Sequence, residues 1–166
     1  MKKLRLGIIG TGNIAESVHL PALVKNPEVE VVAVCDIIEE KAKAVATKFR
    51  IENIYVDYMD LLLRDDIDAV DICTPNYLHT IIAVDALNKG KHVFTEKPDA
   101  VNVEEVLKMK KAADDSGKLL MTMRNNRFRT DAQFLKKYID DGNLGDIYAA
   151  KCGWIRRRGT PGKRCV

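Results

Sequence analysis

The chain has 166 residues, 46% of them hydrophobic and 31% charged, which suits one globular domain or one domain plus part of a second and excludes a low-complexity or collagen-like chain. Its net charge of +3 is uneven: residues 1–150 carry 21 basic and 24 acidic side chains, whereas 151–166 carry six basic and no acidic ones, so the main body lacks the basic footprint of a nucleic-acid binder. No run approaches the ~18 apolar residues of a membrane helix.

The basic start Met1-Lys2-Lys3 leads into Gly7, Gly10 and Gly12 instead of a cleavage-like site, which argues against an export signal. Cys35, Cys73, Cys152 and Cys165 form no CxxC pair and no metal-ligand spacing with the histidines. A cytoplasmic chain with reduced cysteines, no metal, no membrane and no nucleic-acid partner is expected.

In chain order, the first β-like run is Leu4–Ile9, ending at Gly10. A helical pattern over 13–25 contains Pro21, so a kink or break is expected near His19–Leu20. Val29–Cys35 is nearly all apolar, as a parallel strand buried on both faces should be. Ala42, Val45, Ala46 and Phe49 mark one face of a helix. A weak strand follows at 53–56, then a stronger one at 69–73. The next helix runs from Tyr77 to Leu87, with Gly90 as a candidate C-cap. His92–Thr95 is a strand, and Asn102 with Glu105 starts a helix carrying Val103, Val106, Leu107 and Ala113. Lys118–Met123 is the last strand of this series.

Strand and helix in alternation predict an α/β fold: a doubly wound, mostly parallel, Rossmann-like sheet over residues 1–124. Residues 125–166 then read as the opening helix (130–141) and strand (146–155) of a second α+β domain. One strand cannot bury its own apolar face. We therefore expect a chain that stops early and exposes edges that self-associate, giving a homo-oligomer. Residues 156–166 suit a continuation of that strand, an arginine-lined substrate face, or, least well, a nucleic-acid contact.

The sharpest chemical signal is Gly10-Thr11-Gly12-Asn13-Ile14-Ala15, a G-x-G-x-x-A turn between a strand and a helix. The first glycine suits the tight turn, the second lets a pyrophosphate approach the backbone, and Ala15 lets helix pack on strand. Helix N–H groups then face the phosphates. Asp36 ends the second strand, 24 residues past Gly12. Its carboxylate suits a ribose hydroxyl, repels a 2′-phosphate, and favours NAD over NADP. It also suits the cap of the helix starting near Glu39. Loops at 73–79 and 95–98 leave the same sheet edge, and Lys97 there suits proton transfer or a fixed positive charge near a carbonyl.

Together these segments resemble the Gfo/Idh/MocA family of nicotinamide-dependent oxidoreductases. The marks are GIIGTGNIA at 7–15, HLPAL at 19–23, VAVCD at 32–36, DAVDICTPNYLH at 68–79, ALNKGKHVFTEKP at 86–98 and NNRF at 125–128. The resemblance implies hydride transfer between NAD or NADP and a sugar or polyol. It implies that Gly10, Thr11, Gly12, Asn13 and Ile14 border the pyrophosphate and that Asp36 holds the adenosine ribose. Thr74, Pro75, Asn76 and His79 would line the path to nicotinamide. Glu96 and Lys97 match the EKP motif, with Lys97 the catalytic candidate, and Asn125 and Arg127 fall in a segment closing over the cofactor. Asp99 departs from the usual small or aliphatic residue after that motif. Family members are about twice as long and supply a proton-transfer histidine from a second domain, whereas His92 is the last histidine here. The expectation is a chain that binds cofactor but is inactive alone. The alternatives are a non-catalytic NAD(P)-binding module, such as a redox sensor or regulatory subunit, and an interaction protein using the fold alone.

Overall fold

The apolar runs pair in parallel in the computed structural model, which describes residues 2–153 and 155. Strands β1 (Leu4–Ile9), β2 (Val29–Cys35), β3 (Asn53–Tyr55), β4 (Ala69–Ile72), β5 (His92–Thr95) and β6 (Leu120–Thr122) form one sheet in the order β3-β2-β1-β4-β5-β6. All of β4 is buried, as a central parallel strand covered on both faces requires.

Two sets of helices cover the sheet. Ile8 and Val34 pack with Leu20 of α1 (Leu20–Leu23) and with Ala42, Val45 and Ala46 of α2 (Glu39–Phe49). Ile9, Cys35, Val70 and Ile72 pack with Leu61 and Leu62 of α3 (Tyr58–Leu62), Ile82 and Ala86 of α4 (His79–Asn88), and Met109 of α5 (Val103–Ser116). Each large aliphatic side chain buried this way contributes about 1.5–3 kcal/mol.

Local signals explain the ends. Asn102 caps α5 by accepting from the Glu105 N–H at 2.9 Å, and Gly117 closes it at φ 65°. The chain stays helical where the sequence suggested a kink or break near His19–Leu20: a π-helical turn at Ala15–His19, in which the Leu20 N–H reaches the Ala15 carbonyl, runs directly into α1. Pro21 follows directly on this widened turn, the kind of local rearrangement that accommodates a proline's missing N–H inside a helix. Helix α3 was not anticipated. It has five residues, too few for a periodic signal, and is held by the Asp57 side chain accepting from the Met59 N–H at 2.8 Å.

The chain divides into two compact units between Met123 and Arg124. The second contains α6 (Thr130–Asp140) after a 3₁₀ turn at Asn125–Phe128. The strand expected over 146–155 does not form among the described residues of that stretch. A strand exists by pairing its backbone groups with another, and among the described residues this stretch has no such ladder. The arginines of 156–158, Cys165 and the rest of the basic tail lie outside the described residues.

Candidate functional site

The sheet's hydrogen bonding continues one step past its strands. Gly10 donates to the Cys35 carbonyl (2.8 Å), Asp36 to Tyr55 (3.2 Å), Cys73 to Ile9 (2.8 Å), Glu96 to Ile72 (2.9 Å) and Met123 to Thr95 (2.8 Å). These bonds align Gly10, Asp36, Cys73–Thr74 and Glu96 along one carboxyl edge. Strand order reverses between β1 and β4, the switch point at which such folds bind ligands.

Gly10 and Gly12 differ in what surrounds them. Gly10 has φ +92°, and a Cβ there would lie 2.8 Å from both the carbonyl carbon and oxygen of Cys73. A Cβ on Gly12 would meet nothing within 4 Å, leaving the open backbone that a pyrophosphate needs. Ala15 is fully buried in the core beside Leu20, and a larger side chain would push helix from sheet. Asn13 and Ile14 are exposed at the helix start.

Asp36 ties this loop together. One carboxylate oxygen accepts from the Thr11 N–H (2.9 Å) and hydroxyl (3.0 Å), and the other from the Ile38 N–H (3.0 Å). A carboxylate accepts at about four positions, so one remains for a ribose hydroxyl. Thr74 supplies an unsatisfied group: its hydroxyl oxygen is buried and has no hydrogen-bond partner among the described residues. An orphaned polar atom next to the Gly10–Cys73 approach fits a site completed by a polar ligand. The turn Asn76–Leu78 follows Pro75, with Pro75 and Asn76 exposed.

His79, expected to line the cofactor path, is placed otherwise. Its side chain is wholly buried, with Nδ1 2.8 Å from the Pro98 carbonyl and Nε2 3.0 Å from the Thr74 carbonyl. As the first residue of α4 it turns inward and braces two edge loops together.

The carboxyl edge at β2 and β3 is acidic. Burial, then the charges of Asp36, Asp57 and Asp60, push the Cys35 thiol up to about 12. Asp57 and Asp60, with Ile37 and Val56, line an open groove of about 560 Å³ beside Asp36.

Beneath the 96–98 loop lies a cluster that sequence reasoning missed. His19 Nδ1 is 2.7 Å from Asp71 Oδ2, and its Nε2 is 2.9 Å from Glu96 Oε1. Glu96 Oε2 accepts from the Lys97 N–H at 2.9 Å. The Cys73 sulfur sits 3.5 Å from His19 Nδ1 and 3.6 Å from Asp71 Oδ1. Burial, then the Asp71 charge, hold that thiol far above its ordinary range. Burial also disfavours charge on His19, but the hydrogen bonds and charges of Asp71 and then Glu96 outweigh it and raise its pKa to about 9.

The donor atoms of His19, Asp71 and Cys73 lie within 4.8 Å of one another. The 2.7 Å between His19 and Asp71 is a hydrogen bond; two ligands of one tetrahedral zinc, at bonds of ~2.0 Å, stand about 3.3 Å apart. The signal available in the sequence was Asp71, an aspartate inside an apolar central strand, which requires a cationic partner. Its partner is 52 residues away, too far for any spacing rule. Lys97 itself is exposed. Asn125 and Arg127 are exposed residues of the second unit's 3₁₀ turn.

The chain is similar to known dehydrogenases. D-glucoside 3-dehydrogenase of Escherichia coli (strain K12) is 37% identical over 162 residues, covering 96% of this chain and 45% of that protein. Inositol 2-dehydrogenase of Salmonella typhimurium is 40% identical over 146 residues, covering 86% and 43%. The WlbA dehydrogenase of Bordetella pertussis, solved with NADH and UDP-GlcNAcA, superposes with a TM-score of 0.83 at 32% identity, over 89% of this chain and 45% of that one. KijD10, a 3-ketoreductase of Actinomadura kijaniata solved with TDP-benzene and NADP, gives 0.79 at 33% identity, over 85% and 44%. The chain thus spans less than half the length of these relatives. Residues 4–123 match the family model described as "Oxidoreductase family, NAD-binding Rossmann fold", and with the parallel sheet, the glycine turn and the edge-aligned Asp36 this chain belongs to the Gfo/Idh/MocA oxidoreductase family.

Proposed function

We propose that this chain is the cofactor half of an oxidoreductase that moves a hydride between NAD and a hydroxyl or carbonyl carbon of a sugar or polyol. The observation that carries the reading is the sheet's carboxyl edge, where an open Gly12, a glycine-only contact at Gly10, a carboxylate with a spare acceptor site at Asp36 and the orphaned Thr74 hydroxyl lie together. The names of the relatives, a glucoside dehydrogenase and an inositol dehydrogenase, support the substrate class.

Bound nicotinamide supplies the hydride acceptor or donor at its C4 position. The chain's residues bind and orient it. Backbone N–H groups of 12–14 face the pyrophosphate. Asp36 accepts from a ribose hydroxyl, and Thr74 hydrogen-bonds the ligand. Lys97 is the proton-handling group beside the reacting carbon. NAD is the preferred form, because Asp36, Asp57 and Asp60 would each repel a 2′-phosphate and none of residues 37–40 is basic.

A fluorescence titration with NADH and with NADPH tests this. Saturable binding, tighter for NADH and lost in Gly12→Val, is expected. Failure of both nucleotides to bind a folded sample would overturn the reading. The 166-residue chain should bind cofactor yet turn over little, and steady NADH production from a polyol that Lys97→Ala abolishes would refute that part.

A further inference from the structure

His19, Asp71 and Glu96 are buried beneath the edge loop, and cofactor binding uses none of their hydrogen bonds to one another. Their four carboxylate oxygens each face a donor. Asp71 Oδ2 and Glu96 Oε1 face the two ring nitrogens of His19, Asp71 Oδ1 faces the Cys73 thiol, and Glu96 Oε2 faces the Lys97 N–H. The acceptor open to a protonated carboxyl here is a ring nitrogen of neutral His19, and in that pair the proton belongs on the imidazole, whose ordinary pKa of ~6.5 exceeds a carboxyl's ~4. Neutral imidazole donates from one nitrogen only and would turn a lone pair toward a carboxylate oxygen. The arrangement is satisfied when both carboxylates are ionised and His19 is an imidazolium. The groups facing His19 from the elements packed on it are Asp71 of β4, Cys73 just beyond β4 and Glu96 just beyond β5, with the Phe94 ring 6.1 Å away.

We propose that His19 is a positioning residue: an imidazolium fixed between Asp71 and Glu96 pins the Glu96 carboxylate, whose second oxygen holds the Lys97 backbone at the carboxyl edge. His19 touches no reacting atom and acts through Glu96. The π-helical turn serves this arrangement by ending at His19 and directing its ring under the sheet edge. The inference rests on the proposed function only for the use made of Lys97; the hydrogen-bond chain stands without it.

The test is nitrogen-15 NMR on the 166-residue chain. Long-range spectra of the His19 ring should show both nitrogens protonated from pH ~6 to ~8. Solvent exchange of the Lys97 amide should accelerate roughly tenfold or more in both His19→Gln and Glu96→Gln, as expected on losing a bond to a charged acceptor. The Val34 amide, in β2, should exchange at an unchanged rate in both variants. A singly protonated His19 ring at neutral pH overturns the proposal, as does an unchanged Lys97 amide in either folded variant. If His19→Gln does not fold, the wild-type ring spectrum and Glu96→Gln still decide. An NADH titration of the same sample separates the two claims: a doubly protonated His19 with no nucleotide binding supports the positioning role and refutes the cofactor reading.

Discussion

Gly10 and Gly12 are the same residue type two positions apart, yet substitutions at them should fail for different reasons. Alanine at Gly10 would set a Cβ 2.8 Å from the Cys73 carbonyl in a backbone conformation of φ +92°. Gly10→Ala should cost about 3 kcal/mol of stability, read from a denaturant midpoint. Gly12→Val meets open space, so it should stay within about 1 kcal/mol of wild type while NADH binding disappears. At His19 the sign follows from its raised pKa, from 6.5 to about 9. The imidazolium's contribution is fully present below pH 6.5 and is lost as pH rises through about 9, a change on the order of 3 kcal/mol. Thermal melts across that range should fall in wild type and flatten in His19→Gln. Legibility at this scale was uneven. The glycines and Asp36 were readable because a turn and a strand end confine them to local sequence. The burial of His79 between two carbonyls was not readable, because a helix-start histidine looks the same in sequence whether it faces solvent or the protein interior. His19 was missed because its partners lie 52 and 77 residues away.

Elements were more legible than side chains, because apolar runs and caps are local signals. The β1, β2 and β5 spans follow their apolar runs to the residue, and α5 starts at the Asn102 cap that the sequence displays. Asn102→Ala should therefore cost about 1 kcal/mol, measurable as a lowered thermal midpoint with the sheet intact. Elements decided by partners were not legible. Helix α3 is one turn held by Asp57. The stretch 146–153 has the pattern of a strand but pairs with none among the described residues. Pattern sets what a segment can become, and pairing decides whether it does.

For the whole molecule, the two units contrast in burial. The first encloses both cores. In the second, α6 shows Phe134 at 68% and Leu135 at 51% exposure, and Tyr138, stacked on Phe134, is also exposed. Apolar surface of this kind favours association. Light scattering at high concentration should show dimers or larger species, reduced in Phe134→Glu; a clean wild-type monomer would contradict this.

On the proposed reading, Asp36 makes the nucleotide site hard to retune. The carboxylate that would discriminate against a 2′-phosphate also accepts three hydrogen bonds that hold the glycine turn and the start of the β2–α2 loop. Exchanging it for a neutral or basic residue removes the repulsion and the scaffold in one step, so the variant meets a folding defect before it meets a new ligand. Any exchange of Asp36 meant to admit a 2′-phosphate must also supply new acceptors for the Thr11 N–H, the Thr11 hydroxyl and the Ile38 N–H.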